Sequence, residues 1–292
     1  MPIAEPHAVA ASRWRRSDLG VALVGLAAIA AWDASGLDIV VARMFGDASG
    51  FAWRHHWLVG GWLHDGARAV GWMAFALMVA SLRWPIGSLR HLSRPRIAWL
   101  LATVAACAAV IPLLKHLSLT SCPWSLAEFG GTVAHYVPYW WPRVADGGPG
   151  GCFPSGHAST AFAFLGVSFA LRSEAPAAAR RWLLLVVAAG ALLAAAQVVR
   201  GAHYVSHTLW TAWLCWAGTA ASFHARLPSA LRPWRLRLQW RGVNASHSAS
   251  TPNAAPRNQR WIRSHAGRRA NHMDSSPATV TSAPSTSVDT LT

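Results

Sequence analysis

Charge is scarce in this chain, and acid scarcest of all: 292 residues include 11 Asp and Glu against 26 Lys and Arg, and charged residues make up 13% of the total. Hydrophobic residues make up 53% and come in long runs rather than helical stripes, so the shortage excludes an ordinary soluble domain and marks an integral membrane protein. Cysteine is sparse too. Of the four, Cys107 and Cys215 fall inside apolar runs, where a thiol acts as a small buried hydrophobe. Cys122 and Cys152 share one long polar loop, where an oxidising compartment would let them pair. The lack of acid leaves a net charge of +15 but no single basic face, because the arginines cluster at the ends of apolar runs. That arrangement suits anionic lipid headgroups and argues against nucleic acid as a partner. Tryptophan is abundant, and many of the 18 sit near segment ends as interfacial belts do. Trp99 and Trp213 fall inside apolar runs and read as packing residues.

A helix needs about 20 residues to cross a bilayer. Six stretches qualify, at roughly 18–35, 66–82, 97–115, 157–172, 181–200 and 204–224. The expected fold is all-α: a polytopic helical bundle over 18–226, after a short cytoplasmic segment 1–17 and before a basic, then Ser/Thr/Pro-rich tail 227–292. The tail has no apolar periodicity and is expected to be disordered. The first run also fits a cleaved signal peptide, since Arg13, Arg15 and Arg16 precede a short apolar stretch ending in small residues. Positive residues in short flanking loops stay cytoplasmic. The groups around Arg13, Arg83 to Arg96, Arg172 to Arg181 and Arg226 to Arg241 therefore share one side, which places both termini in the cytoplasm of a bacterial inner membrane. The outward connection 36–65, with Trp53, His55, His56, Trp57 and Trp62, reads as an interfacial segment. Asp38, Asp47 and Asp65 within it read as ordinary solvated acids.

Three polar groups then meet at helix ends on the outward surface. Lys115 ends the third run, Ser155 to His157 open the fourth, and Arg200 to His207 link the fifth to the sixth. Ionisable groups at membrane depth are costly and so tend to be functional. A helix N-terminus offers free N–H groups, Gly156 allows close approach, and Ser155 adds a hydroxyl. With Lys115 and Arg200, this is a site for a phosphate, whose transfer depends mainly on positioning and charge neutralisation. His203 and His157 can serve as nucleophile and proton donor.

These residues resemble the membrane-bound type 2 phosphatidic acid phosphatases, whose motifs run KxxxxxxRP, PSGH and SRxxxxxHxxxD. Lys115 with Cys122-Pro123 stands at the first spacing. Pro154-Ser155-Gly156-His157 is the intact second motif, and Ala196-Gln197 with His203 and His207 stands at the third. The resemblance implies a helical core shared with bacterial acid phosphatases and vanadium haloperoxidases, and a lipid phosphomonoester or diphosphate as substrate. It further implies that His203 attacks phosphorus, that His157 protonates the leaving group, and that Lys115, Ser155 and Gly156 hold the phosphoryl oxygens without a metal or other cofactor.

The departures are specific. Cys122 replaces an arginine, Ala196-Gln197 replace Ser-Arg, and His207 replaces the acid that would orient His203. Arg200, and Arg143 in the outward loop, are the substitute cations. Cys122 to Trp124 and Arg200 to Trp210 resemble a variant subgroup of the family with CPW and RGAH-x-x-SH motifs. Three other readings remain: zinc held by His203 and His207 at i,i+4, a non-enzymatic lipid-binding protein that keeps the fold, and phosphotransfer to another lipid.

Overall fold

The computed structural model describes residues 6–138 and 145–230. The chain divides into two compact units, 1–239 and 240–292. Arg143 and the tail from 231 onward lie outside the described residues.

The protein is built from helices α1 (Pro6–Ser35), α2 (Leu37–Arg43), α3 (Ala67–Ala80), α4 (Arg94–Leu117), α5 (Gly156–Phe162), α6 (Leu165–Leu171), α7 (Pro176–Val199) and α8 (Val205–Ala230). Among the described residues, three helical stretches are long and apolar enough to cross a membrane: Ser12–Ser35, Arg94–Leu117 and Pro176–Val199.

The other three expected runs are also helical, but each differs from its expectation for a visible reason. The second begins earlier, because a π-helix over Trp57–Gly66 runs directly into α3. The fourth is two short helices, α5 and α6, separated by a tight turn in which Phe164 N–H donates to Ala161 O at 3.0 Å. The sixth, α8, turns Ser206, His207, Thr208, Thr211 and Thr219 inward, all of them buried, which lowers its apolar character.

Residues 36–65 are not one continuous element. They fold as α2, an antiparallel hairpin of β1 (Gly46–Asp47) and β2 (Gly50–Phe51), and most of the π-helix. His56 caps that π-helix, its Nδ1 accepting from Leu58 N–H at 3.3 Å.

The core gathers α4, α6, α7 and α8 around Leu100, Val167, Phe169 and Leu171. Gly190 of α7 lets the Phe162 ring of α5 lie against the helix backbone, where a Cβ would stand 2.4 Å from that ring. Helix α1 is tied to α8 from near its middle and from near its C-terminal end. Buried Asp18 accepts from Arg172 Nη1 at 2.8 Å and lies 2.8 Å from His224 Nε2. Fifteen residues on, or about 22 Å at the helical rise, Asp33 accepts from Trp210 Nε1 at 3.0 Å.

Candidate active site

The turn from α7 to α8 determines where His203 sits. Gly201 has φ 69°, a left-handed conformation that costs other residues energy. Its N–H donates to Val198 O at 2.9 Å and Ala202 N–H donates to Gln197 O at 2.9 Å. This pair of bonds is the Schellman arrangement that stops a helix and redirects the chain. A Cβ on Gly201 would also stand 2.3 Å from the Phe51 ring. The turn therefore requires glycine twice over, and it delivers His203 into the protein interior, where it is buried.

A second loop meets this turn. Gly151 N–H donates to Ser118 O at 2.8 Å and Cys152 N–H to Thr120 O at 3.0 Å. Asp146 accepts from Ser121 N–H at 2.6 Å and from Ser121 Oγ at 2.8 Å. These bonds fix the strand of loop entering Pro154-Ser155-Gly156-His157 against the end of α4, where Lys115 sits. A disulfide joins Cys122 to Cys152, and Trp124 N–H donates to Gly201 O at 3.0 Å. Ser155 N–H donates to His207 O at 3.2 Å, while Thr211 Oγ1 donates to Ser155 O at 3.0 Å. The three sequence motifs are thus bonded to one another through backbone atoms.

Three imidazoles meet where these pieces join. The ring centroids of His157 and His203 are 6.4 Å apart, and those of His203 and His207 are 6.0 Å apart. A phosphorus attacked by one ring, with its leaving oxygen hydrogen-bonded to the other, needs nitrogens roughly 6–7 Å apart, which this spacing permits. His203 Nδ1 lies 3.6 Å from Cys152 Sγ. His207 Nδ1 is 3.1 Å from Cys152 O. A carbonyl only accepts, so Nδ1 of His207 carries the proton and its Nε2 is the basic nitrogen. Burial pushes the His203 imidazole well below the usual histidine range, and His207, Lys115 and His157 push it the same way. His203 is therefore neutral at pH 7.

Lys115 lies close enough for its charge to act on His203. It also lines a cavity of about 450 Å³ with Ser118, Gly148, Gly150 and Gly151. Ser155 is fully buried and its Oγ has no hydrogen-bond partner, so the hydroxyl is available to a ligand. The space beside the Gly156 Cα is open to 4 Å.

Arg200 stands apart from this group. Its guanidinium carbon is 5.9 Å from the Trp124 ring centroid, and it faces Gly60. The structure thus brings together Lys115, Ser155, Gly156, His157, His203 and His207, and sets the Arg200 side chain against Trp124 and Gly60. Sulfur and ring-nitrogen atoms of Cys122, Cys152 and His203 lie within 4.8 Å of one another, but the sulfurs are bonded together and offer no thiolate. His203 precedes α8, so it does not share a helical face with His207 as a zinc pair would.

Two residues escaped the sequence reading. Asp38 is not a solvated acid: it is 4% exposed. Its carboxylate accepts from Trp32 Nε1 at 2.8 Å, from Ser206 N–H at 3.0 Å, from Ser206 Oγ and from Tyr136 OH at 3.4 Å. It caps the start of α8 from a distant segment and sits beside the histidines without touching them. Arg54, the second, stacks on Trp124 at 4.7 Å. Neither belongs to a motif, and only the burial of an acid in an otherwise acid-poor chain could have hinted at the first.

No curated protein and no solved structure matches the chain. Residues 96–229, the stretch that carries Lys115, both bonded cysteines, Ser155 and all three histidines, match the PAP2 superfamily.

Proposed function

We propose that this protein is a metal-independent phosphatase acting on a phosphomonoester or diphosphate of a membrane lipid through a phosphohistidine. The observation that carries the reading is the meeting of His157, His203 and His207, with the buried, unpartnered Ser155 hydroxyl two residues before His157 and the charge of Lys115 acting on His203.

In the first half-reaction, His203 Nε2 forms a bond to phosphorus. The P–O bond to the lipid breaks, and His157 gives its proton to the departing oxygen. In the second, a water yields a proton to His157 and attacks phosphorus, the P–N bond breaks, and phosphate leaves with His203 neutral again. Lys115, the Ser155 hydroxyl and the Gly156 backbone neutralise the equatorial oxygens. His207, held by the Cys152 carbonyl, stands beside His203 where the family motif carries an acid.

Two features support a lipid substrate and an outward site. An apolar groove of about 800 Å³ runs between α1, α7 and α8, past Ile29, Ala194 and Leu209, and reaches Val199 and Val205 on either side of the catalytic turn. An acyl or prenyl chain lying there would bring its headgroup to His203. The disulfide beside His203 supports an oxidising compartment on that face.

The test is phosphate release from lipid phosphates in detergent or vesicles by wild type, His203→Ala and His157→Ala. The reading expects a loss of at least about 1,000-fold for His203→Ala. Equal release by all three proteins would end it, and release from soluble phosphate esters alone would end the lipid claim.

A further inference from the structure

Acids are few, and the structure spends them on particular arginines. Arg43 pairs with Glu128, Arg96 with Glu174 and Arg172 with Asp18. Arg54 and Arg200 have no carboxylate partner among the described residues. Both are half-buried, and each repels the other. Their guanidinium carbons lie 4.7 Å and 5.9 Å from the centroid of one ring, that of Trp124, so the two charges stand within roughly one Debye length of each other. The Nε of Arg200 is buried and has no hydrogen-bond partner. Two neighbouring cations with shared aromatic support and no counter-charge form a site for an anion.

The fold brings this pair together deliberately. Phe51 packs its ring against the Gly201 Cα, and Arg54 N–H donates to Phe51 O at 3.0 Å. The packing that fixes the catalytic turn therefore also fixes Arg54 beside Arg200. Trp124 is bonded to the same turn through Gly201 O. Arg200 is three residues from His203, a reach of at most about 11 Å between α-carbons. Lys115 is the cation whose charge acts on His203, while both guanidinium groups lie against the Trp124 ring. The reacting phosphate thus has its own cation in Lys115, and the arginines stand one group further out.

We propose that Arg54 and Arg200, supported by Trp124, form a second anion subsite for the phosphate adjoining the one attacked, so that the enzyme prefers a lipid diphosphate to the matching monophosphate. The proposal rests on the phosphatase reading and specifies its substrate class. In the reaction, His203 takes the terminal phosphoryl group, the bridging oxygen leaves with the lipid-linked phosphate, and the arginines hold that departing dianion.

The test has a catalytic arm and a binding arm, each on the full-length protein in detergent. In the first, kcat/KM is measured for a prenyl diphosphate and the prenyl monophosphate of equal chain length. Arg54→Ala is expected to lower the diphosphate-to-monophosphate ratio at least tenfold, and Arg54→Lys, which keeps charge but loses the planar fork, to lower it less. In the second arm, calorimetry compares inorganic diphosphate with orthophosphate. Wild type is expected to bind diphosphate at least tenfold more tightly, Arg54→Ala to lose that excess, and His203→Ala to keep it.

An equal loss of both substrates in Arg54→Ala would assign Arg54 to the reacting phosphate and overturn the second subsite. Wild-type ratios in Arg54→Ala would overturn it as well. Failure of the phosphatase reading shows separately, as phosphate release that survives His203→Ala.

Discussion

His203 is neutral because it is buried, and that has a consequence for stability. Its pKa in the folded protein lies well below the usual histidine range, while the unfolded chain titrates near 6.5. Between the two values the unfolded state binds a proton that the folded state refuses, so stability is full above about pH 6.5 and declines as the pH falls through that window. Thermal unfolding at pH 7.5 and 5.5 should show the decline, and His203→Gln should make it shallower. Lys115 offers a second handle, because it is the only lysine in the sequence. An amine-directed reagent therefore modifies one side chain, and inorganic phosphate should slow that modification if the ammonium grips the substrate. Asp38→Asn keeps the shape but removes the charge that accepts from Trp32, Ser206 and Tyr136. We expect a loss of about 1–3 kcal/mol of stability, read as a lower melting temperature, with reduced turnover because the start of α8 loosens next to His207.

At the scale of elements, the turn between α7 and α8 is the critical joint. Gly201→Ala must place a Cβ against the Phe51 ring and force a left-handed alanine, at a cost of at least about 2 kcal/mol. Unfolding curves and lipid-phosphate hydrolysis should fall together. The same joint shows what could be read from sequence. Lys115, Ser155, Gly156, His157, His203 and His207 were legible because their types and spacings fall at helix ends, and long apolar runs located α1, α4 and α7. The extent of the helix leading into α3 was not legible, since Gly60, Gly61, His64 and Asp65 interrupt the apolar pattern that marks a span. The break between α5 and α6 was hidden for the opposite reason: 157–172 reads as one continuous apolar run. Asp38 and Arg54 lie in a connection without periodicity, outside the stretch 96–229 that carries the family match. Their roles come from tertiary packing against Ser206 and Trp124, which no local pattern encodes. Arg200 shows the converse limit. Its position in the chain was plain, but the direction of its side chain depended on Phe51 and Gly60.

For the whole molecule, the Cys122–Cys152 bond closes a loop with a sequence separation of 30, a constraint worth up to about 3–4 kcal/mol by loop entropy. It also forms part of the wall behind His203 Nδ1. Treatment with reductant, or Cys122→Ser, should lower both the melting temperature and the rate of phosphate release, and reoxidation should restore the reduced protein. The two losses should track each other, since one bond ties the Cys122-Pro123-Trp124 segment and the approach to His157 onto the same turn. The bond also bears on timing within the life of the chain. A newly made copy whose cysteines are still reduced has its helices and its histidines but not the strut that sets them. Under the proposed phosphatase reading, phosphate release should therefore rise in step with formation of this bond, which a time course of reoxidation would check.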